Sequence, residues 1–133
     1  MNTSFLILGI SASLLVFLYL SLSVLVIVQR YTIRCSLNTC GDPTLAARMR
    51  AHANFSEYTP ITLILMGIAI ALRMPSIFLA VLGGCFVIAR YIHAFALFNS
   101  NFNARRWGMI GTFLPMLVLA IYNLIKSLLF LLG

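Results

Sequence analysis

The sequence predicts an all-α integral membrane protein, a four-helix bundle built as one domain over residues 1–133. Three observations carry this. The chain is 62% hydrophobic and only 8% charged, where a soluble domain would carry about a quarter charged residues. Long uncharged stretches alternate with short polar loops. One helix opens on a dense polar run, Arg48 to Pro60, before it too becomes apolar. The formal charge of +7 is spread singly or in pairs between apolar spans. That pattern sets membrane orientation and argues against a nucleic-acid partner, which needs a continuous phosphate-binding patch.

The first element runs from about Phe5 to Val28, with no charge, and is long enough to cross a bilayer with some tilt. No Lys or Arg precedes it, and its length exceeds a signal-peptide core, so it is expected to be a retained first helix. A polar loop from Gln29 to Gly41 carries Arg30 and Arg34. Asp42-Pro43 then reads as a helix start, with Asp42 as the cap and proline in the first turn, where no amide donor is needed. Helix 2 is predicted over 43–72. Its Pro60 removes the hydrogen bond to the Ser56 carbonyl and predicts a kink, either for packing or for binding.

Arg73-Met74-Pro75 predicts a very short turn, followed by helix 3 over 75–98. Gly83-Gly84 would let a neighbouring helix approach closely. Asn99 to Ala104 is a polar loop, and Arg105-Arg106 open helix 4, predicted over 105–131, with a bend at Pro115. The loops joining helices 1–2 and 3–4, with their flanks, hold Arg30, Arg34, Arg48, Arg50, Arg90, Arg105 and Arg106. The opposite side holds only Arg73 and Lys126. The excess of positive charge predicts that these two loops are cytoplasmic and both termini non-cytoplasmic.

The uncharged part of helix 2, Tyr58 to Leu72, rises only about 22 Å, against a hydrocarbon core of about 30 Å. Part of Arg48–Glu57 must therefore enter the membrane, where polar groups are costly unless partnered and are functional candidates by default. At about 100° per residue, Arg50, Asn54 and Glu57 fall near 0°, 40° and −20° on the helical wheel, on one face. His52 lies about 200° from Arg50 and is expected to make a helix contact instead. Arg90 and His93, three apart on helix 3, and Arg106 on helix 4 are expected in the same cytoplasmic layer. Arginine in excess of carboxylate suits a small anion, since guanidinium groups pair with carboxylates or phosphates. Glu57 either receives the ammonium of such a ligand or pairs with Arg50 or Arg90 to hold the helices together. No His or Cys spacing matches a metal motif, so no metal is expected.

The segments RMRAHANFSEYTP, ARYIHAF and ARRWG resemble the MAPEG family, the membrane-associated proteins in eicosanoid and glutathione metabolism. The resemblance runs directly over about Gly41 to Thr112, and its R-A-H-x-N-x-x-E pattern, Arg50 to Glu57, is the specific part. It implies a homotrimer that binds glutathione, as co-substrate, between subunits near the cytoplasmic side. Arg50, Asn54 and Glu57 would hold the glutathione peptide, and Arg90 and His93 would complete the pocket. Arg106 would be the catalytic residue, stabilising the thiolate. The sequence departs from many catalytic members at Leu97, where a tyrosine is usual one heptad after the helix 3 arginine.

The expected function is a membrane-bound glutathione transferase, with glutathione peroxidase activity as its extension, acting on hydrophobic electrophiles or lipid hydroperoxides. The alternative is a non-catalytic lipid-binding or lipid-presenting protein of the same fold. A channel ranks last, because no polar stripe runs through the bilayer. Cys35, Cys40 and Cys85 are expected as unpaired, reduced thiols, since the 35–40 spacing fits neither a CxxC nor a zinc knuckle and the loop is expected in the cytoplasm.

Overall fold

A computed structural model describes residues 2–99 and 101–133. Four helices follow one another through short connections: α1 (Thr3–Thr32), α2 (Pro43–Ala71), α3 (Ser76–Phe98) and α4 (Phe102–Leu132). Side-chain caps set three of the starts. Asn2 accepts from the Ser4 amide at 3.0 Å and Asn101 from the Ala104 amide at 3.0 Å. Asp42 accepts from the Leu45 amide and also from Gln29 Nε2 at 3.1 Å, so one carboxylate caps α2 and ties it to the end of α1. Capping by Asn101 starts α4 three residues before the expected Arg105. The first helix likewise runs four residues past Val28, because helical hydrogen bonding continues through polar residues once an apolar span has set it going.

By length and apolarity α1, α3 and α4 suffice to cross a membrane. The polar first half of α2 keeps it from meeting the same measure, although it is 29 residues long. Helices α2 and α3 each touch all the others, whereas α1 and α4 do not meet among the described residues. Leu15, Leu18, Leu22, Phe55 and Phe86 form one buried cluster, and Met66, Ala69, Leu79 and Leu119 another. Large apolar side chains also cover the outside: Phe17, Ile64, Phe95 and Leu124 are each more than three-fifths exposed. A surface of that kind suits lipid or another subunit, not water.

Of the Gly83-Gly84 pair only Gly83 is used for close packing within the subunit. A Cβ there would lie 2.7 Å from Met66 Cε, while one on Gly84 would meet nothing within 4 Å. The tightest crossing is elsewhere. A Cβ on Gly108 would lie 2.8 Å from the His93 Cα, and one on Gly111 2.8 Å from Ala89 Cβ, so α4 rests directly on the α3 backbone.

The α1–α2 loop corrects the expectation for two cysteines. Cys35 and Cys40 are joined in a disulfide, with their Cα atoms 6.1 Å apart. Spacing alone did not suggest this, because five intervening bonds along the chain bring two cysteines together only if the backbone folds back. Left-handed residues do that here: Arg34 (φ 54°), Asn38 (φ 56°), Cys40 (φ 46°) and Gly41 (φ 78°). Cys85 is free and exposed.

Candidate functional site: a buried guanidinium and an exposed charged rim

The polar layer is built around Arg90, which is only 1% exposed. Its Nη2 donates to Asn54 Oδ1 at 2.8 Å and its Nη1 to Thr112 Oγ1 at 3.2 Å. Thr112 in turn donates to the Gly108 carbonyl at 2.8 Å, so its lone pairs are free to receive the guanidinium. The Phe55 ring lies under the cation, 5.6 Å from centroid to Cζ. Three helices thus meet on one side chain.

The bookkeeping of this cation is incomplete. Its hydrogen-bond partners are neutral dipoles, and Nε–H is buried with no partner among the described residues. A guanidinium held by an amide, a hydroxyl and a π face keeps its positive charge uncancelled, and at this burial that charge is felt strongly by any anion nearby. The expected pairing of Glu57 with Arg90 as a helix clamp is not how Arg90 is held.

His93, 2% exposed, points its Nδ1 at the Arg105 carbonyl at 3.3 Å. Only an N–H can pair with a carbonyl, so the neutral ring would carry its lone pair on Nε2. His52 does what its angle on α2 suggested. It stacks against Tyr19 of α1 at 5.0 Å, and its Nε2 meets Ser23 Oγ at 3.0 Å. Ser23 already donates to the Tyr19 carbonyl, so His52 is the donor of that pair. Tyr91 is spent similarly, its hydroxyl donating to the Leu14 carbonyl at 2.9 Å.

Arg50, Glu57 and Arg106 are all exposed on the subunit surface, and Asn54 lies between them and the core. The structure therefore separates the six site residues into two groups. Asn54, Arg90 and His93 are fixed by the subunit's own packing, whereas Arg50, Glu57 and Arg106 present their charges outward. Arg106 leans over the Trp107 ring at 5.9 Å. Leu97 stands between two cavities, of about 460 Å³ beside Leu25 and Arg48 and about 230 Å³ beside Asn101 and Arg105. Sequence reading missed Thr112, Phe55 and Gly108. A lone threonine or glycine on an apolar helix carries no signal until the crossing partner is known.

The depth of Glu57 matters most. Its neighbours on α2, Ser56 and Pro60, line a groove with Val16 and Tyr19 of α1. Val16 is the midpoint of the uncharged stretch Phe5–Val28. The exposed carboxylate of Glu57, next to Ser56, thus stands within the height of the uncharged stretch of α1, near its Val16–Tyr19 turn.

The family model for the MAPEG family matches residues 8–125. The chain belongs to the MAPEG family. It is a membrane protein of the family of glutathione and eicosanoid metabolism, and no curated relative matches it. The match takes in all four helices, including every residue of the polar layer. Leu97, where the resemblance implies a tyrosine in many catalytic members, is half-buried against the core cluster of Leu15 and Phe55.

Proposed function

We propose that this protein is a membrane-bound glutathione transferase that conjugates or reduces hydrophobic electrophiles and lipid hydroperoxides. The observation that carries the reading is the uncancelled charge of Arg90 beside an outward-facing set of Arg50, Glu57 and Arg106. Of the charges glutathione carries, a carboxylate complements Arg50, the ammonium complements Glu57 and the thiolate complements Arg106, with the charge of Arg90 in the same layer. Arg50 and Glu57 bind the peptide, with Asn54 oriented by Arg90 so that its N–H₂, which reaches Met109 Sδ at 3.8 Å, keeps a second hydrogen to donate. Arg106 faces the sulfur, where a cation lowers the thiol pKa and holds the nucleophilic thiolate. The apolar reactant arrives from the lipid that surrounds the helices.

A carboxylate cannot face hydrocarbon within an apolar span without a large cost. The exposure of Glu57 and Arg50 on one subunit therefore supports a site completed by a neighbour, in the trimer that the family resemblance implies. The charge asymmetry supports a cytoplasmic position for this layer, with both termini on the other side.

Isothermal titration of the purified protein with glutathione, read together with thiolate absorbance in the ultraviolet, tests the proposal. Saturable binding with a thiolate signal is expected. No binding at millimolar glutathione overturns the transferase reading in favour of a non-catalytic lipid-binding protein of the same fold.

A further inference from the structure

The α1–α2 loop holds features that the glutathione site does not use. Its disulfide closes a ring only five residues apart in sequence, and a ring that short removes less chain entropy from the unfolded state than a long one would. Closing it also leaves Arg34, Asn38 and Cys40 in the left-handed region, which non-glycine residues adopt at a cost. Stability alone is a poor account of such a bond. The loop's arginines place it in the cytoplasm by the charge rule, where disulfides, when they occur, are transient and catalytic or redox-sensing.

A cavity of about 570 Å³ opens beside this bond, lined by Arg30, Tyr31, Arg34 and Cys35. Cys40 is exposed while Cys35 is 3% exposed. Arg30 Nη1 donates to the Cys35 and Ser36 carbonyls at 3.4 and 3.0 Å, so its guanidinium is held against the backbone at Cys35. Arg34 is exposed at the rim of the same cavity.

We propose that Cys35–Cys40 is a reversible thiol–disulfide site that exchanges with a small anionic thiol docked on Arg30 and Arg34. The incoming thiolate attacks Cys40 Sγ, forming a mixed disulfide there, and the bond to Cys35 breaks with its electron pair leaving on Cys35 Sγ. Arg30 stabilises that leaving thiolate, which then takes a proton from water. A second equivalent of thiol attacks the mixed disulfide and releases Cys40 as a thiol. Two thiols are oxidised to one small-molecule disulfide as one protein disulfide is reduced. The inference stands on the loop alone and does not require the glutathione site on α2.

The test uses the full chain in detergent, in a Cys85→Ser background, oxidised and then exposed to glutathione, 2-mercaptoethanol or cysteamine at matched thiolate concentration. Trapping with N-ethylmaleimide and peptide mass mapping follow the two cysteines. The anionic thiol should open the bond roughly three- to tenfold faster than the neutral one at low salt, with the advantage lost at high salt. The first mixed disulfide should form on Cys40. Arg34→Ala should remove the advantage and Arg34→Lys should keep it. Equal rates for the three thiols, an unchanged advantage in Arg34→Ala, or a first adduct on Cys35 overturns the proposal. So does a reduced protein that fails to re-form the bond with glutathione disulfide. Failure of glutathione to bind at the α2 site would leave all these readouts intact, so the two readings fail separately.

Discussion

Arg90 of α3 donates to the side-chain oxygen of Asn54 on α2, across 2.8 Å, in a core that supplies it no carboxylate. This bond decides two things at once. It holds the polar half of α2 against α3, and it fixes the orientation of the Asn54 amide, whose N–H₂ is turned toward Met109 of α4. Asn54→Leu should destabilise the folded protein by about 1–3 kcal/mol, the cost of leaving a charged donor short of a partner. Arg90→Met should cost less than Asn54→Leu, because it leaves behind neutral acceptors on Asn54 and Thr112, whereas Asn54→Leu leaves a buried charge short of a partner. Thermal unfolding of the single and double variants in one detergent checks this. Equal losses in the two singles, adding in the double, would show that the bond contributes nothing.

The α3–α4 crossing yields a second expectation. Gly108→Ala would drive a Cβ to 2.8 Å from the His93 backbone, which has no flexible end to move. The strain should cost about 1–3 kcal/mol, outweighing the roughly 1 kcal/mol that alanine adds through helix propensity. Gly84→Ala meets nothing within 4 Å and should leave subunit melting unchanged. If Gly108→Ala melts like the parent, α4 does not rest on the α3 backbone.

The helices were legible because apolar run length is a one-dimensional property. Asp42-Pro43 announced the start of α2, and the Arg50–Asn54–Glu57 face followed from the helical period alone. The partners of Arg90 were not legible to the same degree. That Asn54 shares its layer followed from topology, but Thr112 receives Nη1 only because Gly108 and Gly111 bring α4 within reach. Such a contact depends on a crossing angle that no local pattern records. The disulfide was hidden for a related reason: left-handed backbone at Arg34 and Cys40 is set by the closed loop, not by residue type.

The paired cysteines sharpen the topology test. With Cys85 replaced by serine, intact cells treated with a membrane-permeant reductant should still exclude an impermeant maleimide from Cys35 and Cys40. Labelling should appear once the cells are opened. Labelling in sealed cells would put the arginine loops outside, against the charge asymmetry, and would make the disulfide a structural bond of an oxidising compartment.

Leu97→Tyr tests the geometry of the thiol end. The residue lies one heptad from Arg90 and borders two cavities of about 460 and 230 Å³, so a phenol has space without disturbing the core. The variant should raise the thiolate signal in the presence of glutathione while leaving affinity within a modest factor. Arg106→Leu should do the reverse, suppressing the thiolate and conjugation of a small aryl halide with little change in affinity. Arg50→Leu and Glu57→Gln should weaken binding first. If Arg106→Leu abolishes binding while thiolate formation per bound glutathione is unchanged, the roles assigned to the two ends of the site are exchanged.

Glu57 sets the last expectation, because its position conflicts with a solitary subunit. It is exposed on α2 within the height of the uncharged part of α1, near its Val16–Tyr19 turn. A single subunit would hold this carboxylate in hydrocarbon, where a charge costs several kcal/mol even after local relaxation. Packing the α2 face against a neighbour removes the exposure and brings further arginines to the glutamate, in the trimer proposed above. Native mass spectrometry from mild detergent should release trimers, and glutathione should bind to the trimer and not to monomers generated by harsher detergent. Glu57→Gln should lower glutathione affinity while easing subunit release, since one partner of the cross-subunit charge set is gone. A preparation that is wholly monomeric yet binds glutathione as tightly as the parent would sink the shared site, and Glu57 would then have to be reached by water from the cytoplasmic face.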